Sequence, residues 1–385
     1  MAANPHSEEQ RNADRTSWKE SPFLLLKGFL MGSADIVPGV SGGTMALIVG
    51  IYNRLIHAIS SFDLQFLKRF FAFRWKTAFL MVHWKFLGIL LAGIFCAVLF
   101  FTKVVPLQTY MFTDPELIFG LFFGLIVGSI FILIKAIDDF SWAHGLMVIA
   151  GIAIGLWVVT RVPAETSESP LFIFLSGSIA ICAMVLPGIS GSYILLILRK
   201  YDFILTQLGK LGTVDTFSAL WVLAPFILGA IVGLMLFTRL LSWLLDHFYA
   251  YTLAILIGFL IGSLFVIWPY QDRIYTEFID KTEVVEFTSE RAQNLRENPR
   301  DKNQPEYERL GDVINPNATF DDLKQVEIET VSQKLIRSEP YIPFITSEEA
   351  KTGHFWSGVW GILIGLGMVI GLDRLQKKEG QPGKI

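Results

Sequence analysis

The chain has 385 residues, 52% of them hydrophobic and 32 of them phenylalanine, with a mean hydropathy of +0.50. Charged residues make up 17% and the net charge is −3. This balance excludes an ordinary soluble domain and offers no global basic surface for nucleic acid; it is the composition of a multi-span membrane protein.

Residues 1–21 are polar and mixed in charge, as in a cytoplasmic tail. Phe23–Met31 followed by Gly32-Ser33-Ala34 mimics a signal-peptide core and cleavage site. It leads, however, into Val37-Pro38-Gly39-Val40-Ser41-Gly42-Gly43, a signature that recurs in mid-chain, where no signal peptide can sit. The apolar segments on either side, Phe23–Ile36 and Thr44–Ile51, are each too short to cross a bilayer, which takes about 20 residues. Tyr52–Lys85 then carries Arg54, Lys68, Arg69, Arg74, Lys76 and Lys85 against a single acid, Asp63. Three apolar spans follow at Phe86–Val105, Leu117–Ile134 and Trp142–Val159, the last weakened by His144.

The second signature is Leu186-Pro187-Gly188-Ile189-Ser190-Gly191-Ser192, 149 residues after the first, with the short Tyr193–Leu198 behind it. Spans at Ala219–Phe237 and Tyr249–Ile267 follow, then a polar stretch, then Phe355–Leu372 and a basic tail with Arg374, Lys377, Lys378 and Lys384. Residues 271–353 hold 18 Asp and Glu against 11 Lys and Arg, and their Asn298-Pro299 and Asn315-Pro316 read as loops between short elements. The two cysteines, Cys96 and Cys182, lie in apolar segments and read as small buried hydrophobes.

The duplication extends past the signature. Tyr52-Asn53 answers Tyr201-Asp202 at the same shift, and Gly93, Thr102 and Lys103 answer Gly229, Thr238 and Arg239 at 136. Gly124 and Gly128-Ser129 answer Gly258 and Gly262-Ser263 at 134, and Gly151–Leu156 is echoed by Gly361–Leu366 at 210. The jump of 76 locates an insertion in the second half. Positive charge in short loops marks the cytoplasmic side. Each broken pair is either one interrupted span or a re-entrant hairpin. Interrupted spans make eight spans in all and turn the basic 52–85 loop or the basic tail outward. A re-entrant hairpin in each half puts that loop, the N-terminus and the tail all inside, and is the favoured reading. Three full spans per half then make the second half inverted relative to the first.

The expected fold is an all-α integral membrane protein. Repeat 1 is 22–160, with hairpin 22–57 and spans 86–105, 117–134 and 142–159. Repeat 2 is 171–372, with hairpin 171–200 and spans 219–237, 249–267 and 355–372. The insertion, 271–353, is expected in the periplasm and the tail, 373–385, in the cytoplasm.

Proline ends the first half-helix of each hairpin, and glycine and serine supply a turn before the next. A helix N-terminus with free N–H groups and a positive dipole end attracts anions, and Gly-rich breaks at matching places of two halves point to a transporter site. The candidate phosphate-binding residues are therefore Gly39, Ser41, Gly42, Gly43 and Thr44 with Gly188, Ser190, Gly191 and Ser192, the half-helices beginning at Thr44 and Ser192. Close helix packing alone is the alternative use of such glycines. Lys103 and Arg239, near the ends of equivalent spans, are candidates for phosphate at the two entrances or for snorkelling to head groups. Arg54 is a candidate phosphate ligand or a positive-inside residue. Asp35, whose counterpart is Met184, is either a proton-coupling carboxylate or a cap on the turn; Glu116 is an interfacial cap or a proton carrier. No catalytic residue, metal site or cofactor is indicated.

The runs SADIVPGVSGGTMALIVGIYNRLI (Ser33–Ile56) and AMVLPGISGSYILLIL (Ala183–Leu198) resemble the bacterial polyprenyl-phosphate transporters, over nearly all of Pro22–Ile267 and the final span. The resemblance implies a flippase that returns undecaprenyl phosphate, the lipid carrier of cell-wall sugars, from the outer to the inner leaflet of the cytoplasmic membrane. It leaves the insertion, the coupling ion (proton or sodium) and the oligomeric state unassigned. The rival reading is an integral-membrane polyprenyl-diphosphate phosphatase, which resembles a Pro-Gly-x-Ser-Arg-Ser motif with a glutamate cluster. Here Gly42 or Gly191 stands where that arginine falls and no Glu-rich helix exists, so nothing assists phosphoryl cleavage. A small-anion transporter on the same scaffold is the third reading.

Overall fold

Prolines open both broken segments, and a proline follows the end of the second. The computed structural model describes residues 16–37, 40–62, 64–79, 81–105, 107–161, 166–298, 304–314, 325–344 and 354–378. Pro22 lies in the first turn of α1 (Ser21–Asp35), where a missing N–H is no loss. The equivalent helix is labelled α10 (Pro170–Val185); Pro170 begins it, with the Ser169 hydroxyl accepting from Phe172 N at 3.3 Å. It stops where Leu186, preceding Pro187, turns to extended backbone at ψ 133°. Each is followed by a seven-residue helix, α2 (Gly42–Ile48) or α11 (Gly191–Ile197). Both thus begin earlier than the expected Thr44 and Ser192, with Ser41 and Ser190 as N-caps.

The rest of the first half is α3 (Tyr52–Ser60), α4 (Leu64–Phe71), α5 (Trp75–Phe79), α6 (Trp84–Lys103), α7 (Leu107–Thr113), α8 (Pro115–Lys135) and α9 (Trp142–Val159). In the second half, α12 (Tyr201–Gly209), α13 (Thr216–His247) and α14 (Tyr249–Ser263) follow α11. Then come β1 (Gln271–Glu286), α15 (Glu290–Glu297), β2 (Glu306–Ile314), β3 (Gln325–Pro340) and α16 (Phe355–Lys378).

Among the described residues, α6, α8, α9, α13 and α16 are long and apolar enough to cross a membrane. Two expected spans come out differently. The 219–237 span is part of a 32-residue helix, and the 249–267 span is helical for 15 residues only. At 1.5 Å per residue the latter reaches about 22 Å, short of a ~30 Å hydrocarbon core.

The chain divides into two units, the larger holding the described parts of Met1–Val105, Leu121–Ile267 and Ile362–Ile385. Its helices pack through glycines, and one close approach occurs twice. A Cβ on Gly28 of α1 would strike the Leu90 carbonyl of α6, and one on Gly93 the Leu25 carbonyl. At the shifts of 149 and 136, Gly177 of α10 meets the Phe226 carbonyl of α13, and Gly229 the Phe174 carbonyl. The duplicated sequence therefore carries a duplicated helix contact. Large side chains such as Phe217 and Trp221 point outward, 81% and 78% exposed, as apolar faces meant for lipid. Cys96 is also exposed, against expectation, because it lies on such a face of α6.

The second unit, Pro106–Gly120 with Trp268–Gly361, corrects the all-α expectation. It contains a three-stranded antiparallel sheet of order β1-β3-β2. Tyr307, Val326, Ile328 and Val331 are buried, as are Ala292 and Leu295 of α15, which packs on β2. Arg309 joins Glu277 at 2.7 Å and Glu329 at 2.6 Å, and Arg291 joins Glu283 at 2.6 Å and Glu308 at 2.7 Å. The strands escaped a hydropathy reading because Val326-Glu327-Ile328-Glu329 alternates with period two, so its average is polar although one face is buried. Asn298 is the C-cap of α15; Pro299 and Asn315-Pro316 lie outside the described residues.

Candidate functional site: two joined helix-breaking turns

Helix α10 ends with carbonyls that have no partner inside the helix. The first signature supplies partners for them. Ser41 Oγ donates to Met184 O at 3.3 Å, and Tyr52 Oη donates to Val185 O at 3.1 Å. In return Gly188 N donates to Thr44 Oγ1 at 2.8 Å. Three bonds, each spanning more than 130 residues of sequence, thus tie the two signatures together. Gly188 is irreplaceable on two counts: its φ of +84° lies in the left-handed region, and a Cβ would sit 2.6 Å from the Phe259 carbonyl of α14.

The two turns are chemically unequal. In the first, Gly42 N donates to Asp35 Oδ1 at 2.6 Å and Gly43 N to Ser41 Oγ at 3.1 Å, so the leading donors of α2 are taken. Ser41 and Thr44 are buried at 4% and 1% exposure. In the second, the Ser190 side chain accepts from no backbone N–H of the helix it caps; its hydroxyl pairs instead with that of Ser192 at 2.8 Å. Ser190 is half-buried and Ser192 exposed. One substitution between the repeats accounts for the first of these differences. Asp35 reaches forward to cap α2, whereas Met184 at the equivalent place offers no acceptor side chain to α11. Four of the residues expected to bind phosphate, Ser41, Gly42, Gly43 and Thr44, are therefore occupied in holding the turns, and the accessible hydroxyls belong to the second copy. Gly39 lies outside the described residues.

The charged candidates are not gathered here. Arg54 Nη2 donates to Thr16 Oγ1 at 2.7 Å, its Nη1 lies 3.6 Å from Glu20 Oε2, and the guanidinium stacks 4.5 Å from the Phe86 ring centroid. It binds the N-terminal segment rather than a turn. Lys103 is exposed in the last turn of α6 and Arg239 half-buried on α13; neither forms an ion pair with a described residue. Glu116 is buried in the first turn of α8.

Two features had no sequence signal. His57 of α3 sits with Nδ1 2.9 Å from Ser242 Oγ and Nε2 3.6 Å from Asp246 Oδ1, both on α13. Ser242 and Asp246 are four apart on one helix face, but nothing local marks His57 as their partner 185 residues away. Lys200, only 3% exposed, donates to the Thr166 carbonyl at 3.3 Å and lies over the Phe172 and Phe203 rings.

Apolar helices around a polar joint of interrupted backbone define a multi-pass membrane protein, because such backbone survives at membrane depth only when buried or lining a cavity. The chain belongs to the undecaprenyl phosphate translocase-like family, whose profile matches residues 31–285. It is similar to a polyprenyl-phosphate transporter of Vibrio cholerae, 37% identical over 249 residues that cover 65% of this chain and 78% of that one. It is also similar to a polyprenyl-phosphate transporter of Staphylococcus aureus, 34% identical over 259 residues that cover 64% and 85%. No solved structure matches the chain.

Proposed function

We propose that the protein transports polyprenyl phosphate, returning undecaprenyl phosphate from the outer to the inner leaflet of the bacterial cytoplasmic membrane. The observation that carries this reading is the second turn. Ser190 and Ser192 hold accessible hydroxyls at the start of α11, whose first N–H groups the N-cap side chain leaves unbonded. A phosphate oxygen is a suitable acceptor for such donors. Family membership and the names of the two relatives supply the prenyl lipid.

In this reading the halves are inverted repeats with re-entrant hairpins, both termini are cytoplasmic and the insertion is periplasmic. The first turn is the latch that holds the second in place, and Asp35 acts as its cap. Alternate exposure of the joint to either leaflet moves the head group, while the prenyl tail stays among the apolar helix faces. Hydrolysis plays no part in this reading, since neither signature carries a His or Lys base and Gly42 and Gly191 stand where a phosphatase arginine would fall.

The test is Ser190→Ala with Ser192→Ala in a strain lacking other carriers for this lipid. Undecaprenyl phosphate accumulates in the outer leaflet, while the purified protein keeps its fold and melting temperature. Wild-type leaflet distribution with the double variant refutes the role of the second turn, and phosphate release from undecaprenyl diphosphate by the purified protein refutes the transporter reading.

A further inference from the structure

Among the described residues of the smaller unit, Arg273 is a shielded cation whose terminal nitrogens have no hydrogen-bond partner. Arg273 of β1 stacks on Phe119 in the first turns of α8, with the guanidinium carbon 4.0 Å from the ring centroid. Its Nη1 and Nη2 are shielded from solvent and hydrogen-bonded to no described residue. Buried unpaired donors are rare, and charged ones are costlier still. Glu116, one turn before Phe119, acts on Arg273 through space, as do Tyr275 and Tyr341, yet none of them bonds to it. Burial holds the guanidinium below its ordinary pKa, with those three opposing the shift. Tyr270, fixed by donating to Phe355 O at 2.9 Å, is pushed up to about 12 by burial and then by Tyr341 and Glu116.

The surroundings indicate the missing partner. Helix α8 is an apolar span of mean hydropathy 2.8, and Glu116 and Phe119 lie in its opening turns, at the depth where a bilayer passes from head groups to chains. Phe112 packs on Tyr275 with ring centroids 4.7 Å apart, adding the aromatic character typical of that depth. A guanidinium with two free Nη groups presents a planar fork that fits two oxygens of one phosphate.

We propose that Arg273 is a receptor for a phosphate monoester, with Glu116 as the negative charge its ligand must displace or outbid. The ligand chemistry is shared by a prenyl phosphate and free phosphate; assigning it to the transported lipid rests on the function proposed above. On that topology this end of α8 faces the outer leaflet, the side from which the lipid is returned.

The full-length protein in detergent is titrated with farnesyl phosphate and, separately, with inorganic phosphate. Losing charge-assisted hydrogen bonds weakens binding by about 10- to 100-fold in Arg273→Gln, and Arg273→Lys recovers part of it. Glu116→Gln tightens binding, an effect opposite to that of a merely damaged fold. A response to farnesyl phosphate alone assigns the lipid; an equal response to inorganic phosphate assigns the free anion. Unchanged affinity in Arg273→Gln, or no tightening in Glu116→Gln, overturns the proposal. Repeating the titration in Ser190→Ala/Ser192→Ala separates the two sites: a failed second turn leaves the Arg273 effect intact, and a failed Arg273 leaves the second turn intact.

Discussion

Thr44→Val replaces a hydroxyl by a methyl of similar volume at a site 1% exposed, and removes the acceptor 2.8 Å from Gly188 N. Two magnitudes compete. Hydrogen bonds between membrane helices average about 0.6 kcal/mol, because a loosened group commonly finds another partner. A buried donor that finds none costs about 1–3 kcal/mol. Gly188 belongs to the second case. Proline precedes it, its φ is +84°, and its α-carbon faces the Phe259 carbonyl and Leu260 N, so its N–H cannot be re-aimed. Thr44→Val therefore lowers stability by about 1–3 kcal/mol, whereas Thr44→Ser, which keeps the acceptor, loses well under half as much. Ser192→Ala, on an exposed hydroxyl, changes stability by less than about 0.5 kcal/mol while impairing transport. Thermal unfolding of the three purified variants in one detergent, set beside outer-leaflet lipid in cells, reads both effects. If Thr44→Val melts with the wild type, or Ser192→Ala falls as far as Thr44→Val, the division into latch and head-group turn is wrong.

Three further outcomes are expected. Gly188→Ala meets both a left-handed φ and the Phe259 carbonyl, and yields little folded protein by size-exclusion chromatography. Gly88→Ala, whose Cβ would enter open space on α6, is stabilising by up to about 1 kcal/mol in thermal unfolding, because alanine is the better helix former. Glu283, outside the spans, is held below the ordinary glutamate value first by its hydrogen bonds to Lys281 and Arg291 and then by their charges. Its contribution is therefore present above the unfolded-state value of about 4.3 and fades as pH falls through the lower folded value. Arg291→Ala moves that loss to higher pH, visible as an earlier onset of amide exchange in β1 on acidification.

Much of the helical fold was legible because its signals are local. Apolar runs at 84–103, 115–135 and 142–159 need only their own residues to declare themselves as spans. The sheet was not legible by the same measure, since Arg309, Glu277 and Glu329 make its outer face polar while Val326 and Ile328 vanish in the average. Arg54 shows a different limit. Its position beside the hairpin suggested a phosphate ligand, yet the atoms that bind it, on Thr16 and Glu20, come from a tail that composition marks only as polar.

The membrane class, the duplication and the pair of Pro-Gly-x-Ser breaks follow from the order of residues, because burial in lipid and proline stereochemistry act on each segment separately. Which copy of the break keeps its donors follows only from the folded chain. Ser41 and Thr44 lie 143 and 144 residues from the groups they bond, and Asp35 caps one turn where Met184 leaves the other uncapped. A hydroxyl is the same in either copy; whether it is taken or available depends on the neighbour that reaches it, and that neighbour is placed by packing.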